Sequence, residues 1–168
     1  MRYGITRCSL GQLIVGWSER GLCAIELGDD EKQLLALLHA HFPGQAIEPA
    51  NSDESDLLAE VARFIEQPAG TLALPLAPEG TRFQRDVWTV LRSIPPGTTL
   101  SYSEVARRLG KPNAVRAVAS ACGANRLAVV IPCHRVVRAD GGLGGFHWGL
   151  ERKQALLNRE ATLAASVP

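Results

Sequence analysis

The chain has 168 residues, 46% of them apolar and 21% charged, the balance of a globular protein with one sizeable core or two small ones. Its apolar runs fall far short of the roughly 20 residues that cross a bilayer. The start Met1-Arg2-Tyr3-Gly4 lacks the apolar stretch of a secretory signal, so a cytoplasmic protein without membrane contact is expected. In chain order, residues 1–27 read as a small antiparallel meander: alternating stretches at Leu13-Ile14-Val15 and Cys23 to Leu27 are separated by Leu10-Gly11 and Ser18 to Gly21. Leu34, Leu35, Leu37 and Leu38 predict a helix after the acidic start Asp29-Asp30-Glu31. Leu57, Leu58, Val61, Phe64 and Ile65 predict a second, ending at Gln67-Pro68. Thr71 to Leu76 reads as a short strand, and Ala77 to Gly80 as a linker.

The net charge of +1 hides an asymmetry around that linker. Residues 1–80 carry 5 Lys/Arg against 12 Asp/Glu, and residues 81–168 carry 13 against 5. A polyanion such as DNA would be drawn to the second part only; two lobes attracting each other would give the same pattern. The basic part reads as mainly helical. Thr81 is a candidate cap for a helix carrying Phe83, Val87, Trp88 and Leu91, stopped by Pro95-Pro96-Gly97. Ser101 or Ser103 opens a helix through Leu109, which Gly110 closes. Pro112 stands near the start of the next helix, which runs to about Cys122. The pair forms a helix-turn-helix candidate. Its second helix carries one long charged side chain, Arg116, among small residues. Small side chains allow close approach to a narrow groove, with weak sequence preference and the minor groove favoured. Tight packing in a core would ask for the same residues.

Ala128-Val129-Val130-Ile131 reads as an apolar strand ended by Pro132, which places Cys133 at a strand-to-turn junction. His134 and Arg135 follow, two sources of positive potential that would favour a thiolate, and His is the usual base for such a nucleophile. Adjacent residues of an extended chain point to opposite sides, so a Cys133–His134 pair needs a turn or an intervening water. Cysteines 8, 23 and 122 read as small buried hydrophobes in a reducing compartment. With no CxxC spacing and no zinc pattern, no metal and no cofactor are expected.

The segment Ile131-Pro132-Cys133-His134-Arg135-Val136-Val137 resembles the signature of the O6-alkylguanine-DNA alkyltransferases. Ser101-Tyr102, Lys111-Pro112, Ala114 to Val118, Asn125 and Gly145-Phe146-His147-Trp148-Gly149 through Leu157 fall in family order. Arg2 to Ile5 and Ser18 to Ile25 extend the likeness, which is strongest to the C-terminal half of the bacterial Ada protein. The resemblance implies an α+β chain. A small N-terminal antiparallel, RNase H-like lobe (1–78) would pack on a helical, winged-helix or helix-turn-helix-like lobe (79–168) for DNA binding and alkyl transfer. It implies direct-reversal repair: single-turnover, irreversible transfer of an alkyl group from O6-alkylguanine, with O4-alkylthymine a further candidate, to Cys133.

By the same resemblance, the damaged nucleotide rotates out of the stack, because a buried thiol cannot reach a stacked base. Cys133, His134 and Glu160 match a relay in which a water links the histidine to the thiol. Asn125 matches the brace of the nearby turn, and Tyr102 a residue that contacts the flipped base and donates its proton. Arg116 matches the finger that fills the gap left by the base. Ser103, Ala114, Ala117, Lys111 and Gln84 would complete the contact with double-stranded DNA through the minor groove. Val136, Phe146, His147 and Trp148 would wall the substrate pocket. Phe146 stands where many members have Tyr, and Trp148 where some have Gly, so a narrow pocket unsuited to benzyl groups is expected. Some members hold zinc in the N-terminal lobe; Ser18 and Cys23 fall where ligands would lie, but the set is incomplete. A monomer in solution is expected, with cooperative assembly on DNA left open. Three rivals are a lesion-binding relative with Trp at the nucleophile position, a winged-helix regulator with its wing at Asp140 to Phe146, and a multiple-turnover Cys–His hydrolase. Cys133 argues against the first.

Overall fold

The computed structural model describes residues 1–67 and 70–166, with side chains to 163. Two compact units emerge: residues 1–78 together with 126–128, and residues 79–125 together with 129–168. The class is mixed α and β, as the sequence indicates.

In the first unit, β1 (Arg2–Cys8), β2 (Gly11–Ser18) and β3 (Gly21–Gly28) form the expected antiparallel meander. A two-residue strand that the sequence does not advertise, β4 (Glu48–Pro49), joins β1 in parallel, giving the order β3-β2-β1-β4. Helix α1 (Glu31–His41) starts on Asp30, whose carboxylate accepts from the Gln33 amide. It covers one face with Leu34 and Leu38, which pack with Ile14, Cys23, Ala24 and Phe42. Helix α2 (Ser55–Glu66) buries Val61 and Ile65 and ends at Gln67; Pro68, the other half of its expected stop, lies outside the described residues. The Cys23 thiol and the Ser18 hydroxyl hydrogen-bond to each other at 3.6 Å, and one thiol with one hydroxyl is not a zinc donor set.

Residues 71–76 are not a strand. Leu76 alone forms a bridge, to Leu22, with the Leu22 amide donating to the Pro75 carbonyl at 2.8 Å. Pro75 has no N–H to extend that ladder.

In the second unit, α3 (Arg82–Arg92) opens on Thr81 in a reciprocal capping box with Gln84. Strand β5 (Leu100–Ser101) pairs in parallel with β6 (Val136–Val137). Ser101 caps α4 (Tyr102–Arg108), and Gly110, at φ +71°, turns the chain after it. Helix α5 (Val115–Gly123) begins three residues later than Pro112 suggests, because Lys111 to Ala114 close a separate turn. The Trp88 indole of α3 donates to the Ala121 carbonyl at 2.9 Å and fixes α5 against α3. Helix α6 (Leu150–Ser166) ends the unit.

The expected strand at 128–131 is also absent. Leu127 makes one bridge, to Ile25 of the first unit, and the chain then turns with Val129 at φ +69°. A left-handed β-branched residue costs about 1–3 kcal/mol, which the surrounding structure must offset. The buried Asn125 amide bonds across this turn, donating to the Ile131 carbonyl at 2.9 Å. Among the described residues, no helix is long and apolar enough to cross a membrane.

Candidate active site

Cys133 opens a single 3-10 turn, Cys133–Arg135, that follows directly on the braced loop. Its side chain is buried, and its Sγ accepts from the Asn125 amide at 3.3 Å. Asn125 therefore holds both the turn and the sulfur. Burial pushes the Cys133 thiol up to about 11, against the lowering effects of Asn125 and the Lys153 charge. The resting group is a neutral thiol. The expectation that His134 and Arg135 favour a thiolate is not met: burial dominates, the Arg135 guanidinium faces a carboxylate, and the positive charge that does act on the sulfur, Lys153, is outweighed.

That carboxylate is Glu160, buried on α6. The His134 imidazole meets it through Nε2 at 2.7 Å, and Arg135 donates to it from Nε at 3.0 and 3.2 Å and from a terminal nitrogen at 2.7 Å. The remaining Arg135 nitrogen donates to the Ile94 carbonyl at 2.7 Å. Burial alone would raise Glu160, but the hydrogen bonds from His134 and Arg135 outweigh it and hold the carboxyl down at about 2. His134 is lowered, chiefly by burial, against the pull of Glu160. Its Nδ1 is buried and meets no hydrogen-bonding atom among the described residues. The imidazole is thus neutral at neutral pH, with its hydrogen on Nε2 and a lone pair on Nδ1.

Cys133 opens onto a cavity of about 170 Å³ lined by Tyr102, Ala119, Cys122, Gly123, Gly145, Phe146 and His147. Tyr102 is raised, first by burial and then by the two thiols, so it is a neutral phenol and a proton donor. It packs against Gly144, at φ +71°, where a Cβ would fall 2.5 Å from the hydroxyl. The expected wall is partly corrected. Phe146 and His147 line the cavity, whereas Val136 and Trp148 are buried outside it. The Trp148 ring backs both Phe146 and His147 at 5.2 Å, edge to face, so its bulk supports the wall instead of filling the pocket.

The helix α5 has two roles. Ala119, Cys122 and Gly123 line the cavity, at the spacing of one helical face. Arg116, Ala117 and Ser120 are exposed, so the small residues are not there to pack a core. Arg116 makes no hydrogen bond or ion pair among the described residues. Ala114 caps α5 and Ser103 stands half-exposed in the first turn of α4. Two candidate DNA contacts are already engaged within the unit. The Lys111 ammonium lies over the Phe83 ring at 5.3 Å. The Gln84 side-chain oxygen accepts from the Thr81 amide at 2.9 Å in the α3 cap.

The sequence reading missed Cys122 and the most unusual group in the unit, Lys153. Lys153 is fully buried, and its ammonium donates to the carbonyls of Val136 (2.7 Å), Leu143 and Gly145 (3.1 Å). It ties the cavity-lining loop to α6. Its spacing with Leu156 and Glu160, all on one buried stripe, is a signal the sequence holds.

Two family models match the chain: "6-O-methylguanine DNA methyltransferase, ribonuclease-like domain" over residues 1–78 and "6-O-methylguanine DNA methyltransferase, DNA binding domain" over residues 82–162. The bifunctional transcriptional activator/DNA repair enzyme Ada of Escherichia coli is 51% identical over 161 residues, which are 96% of this chain and 46% of Ada. The chain thus spans about half the length of that relative. A methylated-DNA–protein-cysteine methyltransferase of Shigella flexneri is 38% identical over 84% of each chain. Among solved structures, Mycobacterium tuberculosis OGT in complex with DNA superposes with a TM-score of 0.77 at 31% identity, covering 96% of this chain and 94% of that one.

The Glu160 carboxyl lies below its ordinary value of 4.5, so the stability it contributes is complete above that pH and is lost as pH falls toward about 2. In Glu160→Gln, denaturant unfolding at neutral pH should show a loss of about 3–5 kcal/mol, because Arg135 is left buried and unpaired. The acid dependence of stability between about 4.5 and 2 should flatten in the variant. An unchanged acid dependence would show that Glu160 is not ionised in the folded chain.

Proposed function

Because this chain belongs to the 6-O-methylguanine DNA methyltransferase family, we propose that it repairs DNA by moving an alkyl group from the O6 of guanine onto Cys133, once per molecule. The observation that carries the reading is a thiol lining a cavity, with an amide donor on the sulfur and, beginning at the next residue, an imidazole hydrogen-bonded to a buried carboxylate. The first unit would serve as the ribonuclease-like lobe and the second as the DNA-binding and alkyl-transfer lobe.

The chemistry follows from the resting charges. The Cys133 proton moves to Nδ1 of His134, through a water if the two are not in contact, and Glu160 stabilises the imidazolium that results. The sulfur attacks the alkyl carbon in line; the S–C bond forms as the C–O6 bond breaks. The Tyr102 phenol supplies the proton that the departing guanine needs, and the proton taken up by His134 returns through solvent to the phenolate, so that both side chains end neutral. The product is a thioether, and no nearby group can cleave it. O4-alkylthymine would present the same alkyl–oxygen bond.

Entry to the cavity requires an everted base. The exposed face of α5, with Arg116 beside Ala117 and Ser120, supports insertion into the minor groove of duplex DNA with Arg116 occupying the gap. The four cysteines are free thiols, which suits a reducing cytoplasm.

Incubation with excess O6-methylguanine DNA, read by intact mass, should give one methyl per chain and none in Cys133→Ser. Repeated turnover, or methylation of the serine variant, would overturn the reading. Arg116→Ala should bind duplex DNA more weakly, with a salt dependence shallower by up to about 0.9 in the log–log slope. Unchanged affinity and slope would remove α5 from the contact surface.

A further inference from the structure

Three nitrogens of Arg135 are committed inside the unit. Two of them grip Glu160 and the third is anchored on the Ile94 carbonyl just beyond α3. The side chain is buried, so this charge is turned inward, away from solvent. A buried carboxylate that met His134 alone could rotate, or could take the imidazole proton and leave a neutral pair. A carboxylate gripped by a guanidinium in fork geometry can do neither readily.

We infer that Arg135 is a positioning residue for the reaction proposed above: it fixes the Glu160 carboxylate so that His134 keeps its hydrogen on Nε2 and offers Nδ1 as the base for Cys133. The inference rests on that reading of Cys133 but reaches a residue the relay itself does not include. Arg135 touches neither the cavity nor the thiol. It acts through Glu160 and through its charge.

The electrostatics give the arrangement a direction. The charged groups that act on His134 are Glu160 and Lys153 from α6 and Arg135 from its own turn. Glu160 favours the imidazolium, while Arg135 and Lys153 oppose it. Burial is the largest effect lowering His134, and Arg135 and Lys153 add to it against Glu160, so at rest the imidazole is neutral. Removing the guanidinium charge leaves Glu160 opposite His134 with one opposing cation gone, so the imidazole should hold a proton to higher pH and lose its function as a base around neutrality. Lysine would keep the charge while giving up the fork.

The test compares wild type, Arg135→Gln and Arg135→Lys in single-turnover methyl transfer across pH, alongside nitrogen NMR of the His134 ring. In the wild type the ring should be neutral with hydrogen on Nε2 at neutral pH. In Arg135→Gln the acidic limb of the rate profile should move up; each unit of movement costs about tenfold in rate at a fixed pH below the limb and is recovered about one unit higher. Arg135→Lys should keep the limb where wild type has it. A rate lowered equally at every pH in Arg135→Gln, with the ring signals unchanged, would assign Arg135 a scaffold role only and overturn the inference. If the glutamine variant does not fold, Arg135→Lys decides: a limb displaced despite the retained charge also overturns it. Absence of transfer in wild type would instead refute the function, and the ring tautomer would still report on Arg135.

Discussion

A single carboxylate, Glu160, is shared between an imidazole and a guanidinium in the interior of the second unit. Buried charge is tolerated only when it is paired and hydrogen-bonded. Here the pairing is complete: Arg135 neutralises Glu160, Ile94 takes the last guanidinium nitrogen, and His134 completes the set without adding charge. When the proton of Cys133 moves to His134, the imidazolium that forms still meets the Glu160 carboxylate through Nε2. The turn that carries Cys133, His134 and Arg135 in succession is what directs one side chain to the cavity and the other two to α6.

The cavity has a second buried cation behind it. Lys153 is held by three carbonyls and, among the described residues, by no carboxylate, and its charge acts on Cys133 and Cys122 in the direction of the thiolate. Burial still dominates, and both thiols remain protonated. This combination suits a nucleophile that must persist unreacted until its substrate arrives. A standing thiolate would be open to oxidation and to small electrophiles, whereas a neutral thiol ionised during the reaction is not. The loop gripped by Lys153 also carries Gly145 and leads to Phe146 and His147, so the same ammonium shapes the wall.

Much of this was legible in the sequence, for identifiable reasons. Asp30, Thr81 and Ser101 cap helices by side-chain hydrogen bonds local in sequence, and Gly110 occupies the left-handed position that its residue type suggests. The three-strand meander follows from alternation and turn residues. The failures share a different character. Residues 128–131 are apolar throughout, so periodicity gives no means to tell strand from turn, and a side-chain amide from Asn125 bonds across the turn. Strand β4 is two residues long and depends on pairing with β1, remote in sequence. At the site, Cys133, His134 and Glu160 were readable through the resemblance. Arg135 read as a source of field, since nothing local shows that its charge is taken by Glu160, 25 residues away. Trp148 read as pocket wall because neighbours in sequence need not share a surface; its ring lies behind the lining.

The most direct measurement is the ultraviolet absorbance of thiolate as pH is raised, taken as the difference between wild type and Cys133→Ser. A buried, neutral resting thiol predicts that this difference stays flat through neutrality and rises only toward about 11. A thiolate already present at neutral pH would contradict the account, because Cys133 would then need neither His134 nor the Arg135–Glu160 pair behind it.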